Sequence, residues 1–153
     1  MPRIIQKILS PGLFTLSALL ALSVTAASVR AESSYRVIVN SARGVSALSA
    51  ADVSAYFLKT KTKWESGAKV LPVDLADDAK AREDFSEGIL RRSVAAVKAY
   101  WQQQIFSGRA LPPPELKDDA AVTAYVKANE GAIGYVSSSA DVADVKVVEI
   151  KGK

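Results

Sequence analysis

The chain has 153 residues, 49% of them apolar, with 20 basic and 16 acidic side chains and neither Cys nor His. This composition excludes thiol chemistry, an ordinary Ser–His nucleophile and a His-based metal cage, and it leaves stability to packing without disulfides. It argues against an enzyme, and neither a cofactor nor a metal is expected.

The N-terminus reads as an export signal. Arg3 and Lys7 make a basic start, and residues 13–24 are an unbroken run of apolar, Ser and Thr residues. That run is shorter than the roughly 20 residues needed to span a bilayer. Cleavage is expected after Ala31, with Ala27 as the fallback, and no cysteine is available for a lipid anchor. Residues 1–31 hold three cations (Arg3, Lys7, Arg30) and no carboxylate, which leaves 17 basic against 16 acidic side chains in residues 32–153. The mature chain is close to neutral, without the clustered basic face of a nucleic-acid binder. Its length suits one domain, exported to the periplasm, with no membrane span after cleavage.

Tyr35–Asn40 is β-branched and apolar, the pattern of a first strand, and 41–46 is a loop. Ser49 is a good helix N-cap with Asp52 three residues on, and Ala50, Val53 and Phe57 share a face of a helix ending near Leu58. Residues 59–63 form a basic, exposed connection. Trp64 and Gly67 bracket a turn, and 69–74 is a second strand that Pro72 confines to an edge. Asp77 or Asp78 is expected to cap a helix in which Arg82, Phe85 and Ile89 share a face. Ser93 caps a longer helix with a stripe of Val94, Val97, Trp101 and Ile105, closed by Gly108. Residues 111–114, Leu-Pro-Pro-Pro, must be extended. Asp118 or Asp119 caps a helix with Val122, Tyr125 and Val126 on its apolar face. Gly131 is read as the left-handed stop of that helix, and 132–136 as a strand covered on both faces. Gly134 within it calls for something packed close to the backbone. The last strand is 145–150. A helix running straight into a buried strand indicates an open α/β sheet.

The acidic pairs Asp77/Asp78, Glu83/Asp84 and Asp118/Asp119 read as favourable charges at helix starts rather than as acid/base couples. Trp64, Tyr100, Trp101, Phe106 and Tyr135 read as core aromatics. Two anion sites are conceivable, because a helix start or loop with free N–H groups beside a cation binds oxyanions. One is the loop from Ser41 to Ser46 with Arg43, and the other is the helix start at Ala79 with Lys80 and Arg82. The plainer reading leaves Arg43 as a loop residue and turns Lys80 and Arg82 to solvent.

The order of motifs carries a resemblance. Leu48-Ser49, Asp52-Val53, Phe57-Leu58, Trp64-Glu65-Ser66-Gly67 and Val70-Leu71-Pro72-Val73-Asp74 come first. Arg82, Phe85, Tyr100-Trp101, Phe106-Ser107-Gly108 and the 131–136 segment, Gly-Ala-Ile-Gly-Tyr-Val, follow. The series resembles the phosphate-binding proteins of bacterial phosphate importers, and more closely their short, exported relatives of the periplasmic-binding-protein-like superfamily. The resemblance implies a type II lobe, with a mixed sheet flanked by helices, a ligand such as phosphate held between two lobes, and an ABC permease as partner. It also implies a Ser-Gly-Thr turn at a helix start, where this chain has Ala79, Lys80 and Ala81. A rival reading follows from that replacement: an envelope interaction module that keeps the fold without binding solute. Residues 111–114 would be its docking segment, unless the prolines simply fix a crossover.

Overall fold

The computed structural model describes residues 33–76 and 78–152. The expected signal, its cleavage sites and Asp77 lie outside the described residues. In chain order the elements are β1 (Tyr35–Asn40), β2 (Ala47–Ser49), α1 (Ala50–Phe57), β3 (Leu71–Pro72), β4 (Asp74–Leu75) and α2 (Lys80–Phe85). A π-helical turn (Ser86–Leu90), α3 (Val94–Phe106), β5 (Glu115–Leu116), α4 (Asp119–Ala128), β6 (Ala132–Ser137) and β7 (Val145–Lys151) follow.

Five strands form a mixed sheet in the order β2-β7-β1-β6-β3, and β4 with β5 forms a second, two-stranded sheet. Strand β1 is antiparallel to both neighbours, whereas β2 runs parallel to β7 and β3 parallel to β6. The central position of β1 follows from its sequence, since Val37, Ile38 and Val39 are all enclosed. Strand β6 is buried over residues 132–136, as a strand covered on both faces should be. Gly134 is the contact point. A Cβ there would stand 2.8 Å from a Val122 methyl of α4 and 2.9 Å from a Val73 methyl, so only glycine lets the helix pack this closely.

Three expected caps are present. Ser49, Ser93 and Asp118 accept hydrogen bonds from the backbone N–H groups of Asp52, Ala96 and Ala121 at the starts of α1, α3 and α4. Under the sheet, Phe85 stacks on Tyr135 at 3.9 Å between ring centroids, and Phe57 and Tyr35 meet both rings at steeper angles. These rings join α1, α2, β1 and β6 through one apolar cluster.

Several expectations need correction. The strand expected over 69–74 is two short strands in different sheets. Pro72 has no N–H for the ladder; Val73 still donates to Ile133, but Asp74 donates to Pro114 instead. Asp78 does not cap α2, whose N-cap is Ala79 with no side-chain bond. Gly131 is not left-handed; among the described residues the positive-φ glycines are Gly67, Gly108 and Gly152. What Gly131 provides is space, because a Cβ there would collide with the Lys69 carbonyl. Glu83 lies in the first turn of α2, as expected, and both it and Asp84 also pair with Lys80, at 3.1 and 2.7 Å. The apolar stripe of α3 ends at Trp101. Ile105 is 48% exposed and Phe106, expected in the core, is 91% exposed. Strands β2 and β5, three and two residues long, are too short to show a period in sequence.

Candidate functional site

The two cation-bearing places singled out by the sequence are differently built. At the start of α2, Lys80 is exposed and its ammonium is held by Glu83 and Asp84. Those carboxylates raise its pKa, Asp84 more than Glu83. Two residues on, Arg82 does not face solvent: its side chain is 2% exposed. The helical turn carries it under the small sheet, where it pairs with Asp74 of β4, donates to the Leu75 carbonyl at 2.9 Å and reaches Glu115 of β5 at 3.4 Å. The Tyr135 hydroxyl of β6 donates to the same Asp74 carboxylate, and the Leu75 N–H bonds it at 3.1 Å.

The electrostatics follow from this enclosure. Burial pushes the Asp74 carboxyl upward, against the pull of Arg82 and of the Tyr135 hydroxyl. Tyr135 is raised by burial first and by the Asp74 anion second. Burial opposes the Arg82 charge most strongly, but Asp74, Tyr135 and Glu115 together outweigh it and the guanidinium pKa rises. The cluster therefore fastens α2 to the β4–β5 sheet and to β6. Its cation is committed within the fold.

The loop after β1 is organised by Asn40. Its Oδ1 accepts from the Ala42 N–H at 2.9 Å, closing a turn, and its Nδ2 donates to the carbonyls of Val126 and Lys127 at the end of α4. The Arg43 N–H then donates back to the Asn40 carbonyl. Ser41 sits exposed at the tip of this turn. Arg43 reaches across to the α4–β6 link, where its Nε donates to the Glu130 carbonyl at 2.7 Å. One terminal nitrogen donates to Ser66 Oγ at 3.2 Å. The guanidinium lies 5.9 Å from the Trp64 ring centroid. Trp64 is itself buried and anchored by its indole N–H to the Gly131 carbonyl at 3.0 Å.

Arg43 thus has a carbonyl, a hydroxyl and a ring for partners, and among the described residues no carboxylate pairs with it. It stands on the wall of a cavity of about 600 Å³ between this loop, β2, the start of α1 and the Trp64 turn. Ser46, Ser49, Ser66 and Lys151 add polar groups to the wall, and Val45, Leu48 and Tyr56 add apolar surface. Asp52 and Glu65 also border it; the Asp52 carboxylate is taken up by Lys61 at 2.9 Å and by the Ser49 hydroxyl, and Glu65 is an exposed carboxylate on the same wall. The structure brings neither Lys80 nor Arg82 to this cavity; Lys80 borders a separate depression with Asp78, Glu83 and Glu87. Sequence reasoning named Arg43 but missed Trp64, Ser66 and Glu130 as the groups that hold it. Only the Trp64–Gly67 turn signal pointed there.

The proline segment acts within the fold. Pro113 is buried, the Pro114 carbonyl accepts from the Asp74 N–H at 2.9 Å, and Lys59 donates to the Pro112 carbonyl at 3.3 Å. Burial lowers the Lys59 pKa, so the expected basic connection is only partly solvated.

A mixed sheet with helices packed around it and a short strand-to-helix passage at β4–α2 is the architecture of a single periplasmic-binding-protein-like lobe. Solved structures share it. A protein described as a phosphate ABC transporter substrate-binding protein from Clostridium perfringens, with phosphate bound, superposes with a TM-score of 0.61 at 19% identity. The match covers 78% of this chain and 45% of that one. An ABC-type phosphate transport receptor from Vibrio cholerae gives 0.61 at 16% identity, over 77% of this chain and 46% of that one. PstS from Borrelia burgdorferi gives 0.59 at 7%, over 78% and 48%. The chain therefore spans less than half the length of these structures, and the likeness is one of fold. No family model and no curated protein sequence matches the chain.

Proposed function

We propose that this chain is an exported, non-enzymatic solute-binding lobe that takes phosphate or a related small oxyanion at the Arg43 cavity and serves an ABC-type importer. The observation that carries this reading is the state of its cations. Arg43 is fixed by three neutral contacts on a cavity wall and keeps donors of its planar fork for an oxyanion. Lys80 and Arg82 are already neutralised by carboxylates. Ser46 and Lys151 line the same cavity and would extend the site, with Ser41 beside it in the same loop. The likeness to proteins named for phosphate transport supports the solute class, and the apolar run of residues 13–24 supports export. Affinity is expected to be weak, because Ala79, Lys80 and Ala81 replace the hydroxyl-bearing turn that the resemblance calls for.

Calorimetry and thermal melting with inorganic phosphate and sulfate test the proposal. A ligand bound only by the folded state must raise the melting temperature. Heat and a shift are expected for the native protein and for Lys80→Ala, and neither for Arg43→Ala. Millimolar phosphate giving no heat and no shift would leave the rival reading, a module that keeps the fold without binding solute.

A further inference from the structure

The far end of α3 carries a surface that no part of the solute site uses. From Gly88 to Pro114 the chain has Arg91, Arg92, Lys98 and Arg109 and no carboxylate at all. In the same stretch Phe106 is 91% exposed, Leu111 68% and Ile105 48%. Ile105, Arg109 and Leu111 share one shallow depression of about 260 Å³, so cation and apolar side chains form a common surface. The exposure is built in. Ser107 Oγ bonds the Gln103 carbonyl at 2.8 Å, Gly108 turns the chain at a φ of +65°, and Lys59 holds the Pro112 carbonyl. Arg92 lies 5.1 Å from the centroid of the Tyr100 ring, which places a cation against the side of the same helix.

We propose that this surface rests on an anionic phospholipid bilayer. Phe106 and Leu111 would enter the boundary between headgroups and acyl chains, and Arg109 beside them, with Arg92 against the side of α3, would meet lipid phosphates. Three large apolar side chains are too few for a specific protein interface, which buries upward of about 1,000 Å². An aromatic tip with a basic rim suffices for reversible adsorption to anionic lipid. Attachment is peripheral: among the described residues no helix is long and apolar enough to cross a membrane.

Flotation with vesicles of phosphatidylglycerol and phosphatidylethanolamine, against vesicles of phosphatidylcholine alone, tests this. The protein is expected to float with the anionic vesicles at low salt and to be released by high salt. Phe106→Ser with Leu111→Ser should weaken binding by about tenfold or more, since two apolar side chains leave the lipid. Arg109→Gln should weaken it less. These residues are exposed, so unchanged melting curves will show that the variants fold. Equal binding to phosphatidylcholine, no flotation at low salt, or flotation unaffected by the double variant would each overturn the proposal. So would pull-down of a soluble protein through Phe106 and Leu111 without any flotation, which would assign the surface to a protein partner.

Discussion

Arg82 and Arg43 are the same residue type in one small domain, and the fold uses them in opposite ways. Arg82 is enclosed by Asp74, Leu75 and Glu115, whereas Arg43 is braced by a carbonyl, a hydroxyl and an indole beside an open cavity. A guanidinium with a buried carboxylate partner fastens elements together. One braced by neutral groups keeps its charge available to a ligand. Proximity of a cation to a helix start therefore does not make an anion site; what matters is whether the charge is already matched.

The sharpest way to break the comparison is to remove Arg82. Arg82→Met leaves the Asp74 charge buried without its partner, and a loss of about 3–5 kcal/mol is expected, read from the urea midpoint. Replacing both partners, Asp74→Leu with Arg82→Met, should recover most of that loss, because no unmatched charge remains. If Arg82→Met alone proved neutral, the enclosed role assigned to it would be wrong.

Gly131→Ala acts on the other region. The new methyl would meet the Lys69 carbonyl, and Gly131 also holds Trp64, the platform beneath Arg43. Overpacking of this kind costs about 1–3 kcal/mol. The same substitution should weaken phosphate binding, because the platform shifts; undiminished binding in a destabilised protein would separate Arg43 from Trp64. Arg43→Ala should change stability by less than about 0.5 kcal/mol, as a partly exposed side chain with neutral partners does.

The smallest expected effect concerns acid. Lys61 first, and the Ser49 hydroxyl second, hold Asp52 below its ordinary value of 3.8. A depressed carboxyl contributes stability that is present above its unfolded value and lost as pH falls through the folded one. The melting temperatures of native protein and Asp52→Asn should therefore differ slightly above about pH 4 and converge below it. A difference that grew in acid would contradict the Asp52–Lys61 pairing.

Much of the fold was legible because it is written in local signals. The β-branched run at 35–40, the caps Ser49, Ser93 and Asp118, the edge position of Pro72 and the tight packing at Gly134 each follow from one or two residues. The failures share a cause. Arg82 looked solvent-facing because its partner, Asp74, lies across a turn and a change of sheet. Gly131 looked like a helix stop, but the requirement comes from the carbonyl of Lys69, 62 residues earlier in the chain and beside it in the fold. Phe106 looked like core because helical spacing says nothing about where the core stops. The Arg43 site was half legible: the cation stood out, while Glu130 and Ser66, which position it, come together only in the folded chain.

The central claim is that Arg43, and not the start of α2, holds the available charge. Backbone amide NMR during a titration with inorganic phosphate tests it most directly. The expected shifts fall on Arg43, Gly44, Ser46 and Ser66, with Asp78, Ala79, Lys80 and Ala81 unmoved. Shifts confined to residues 78–81 would contradict it.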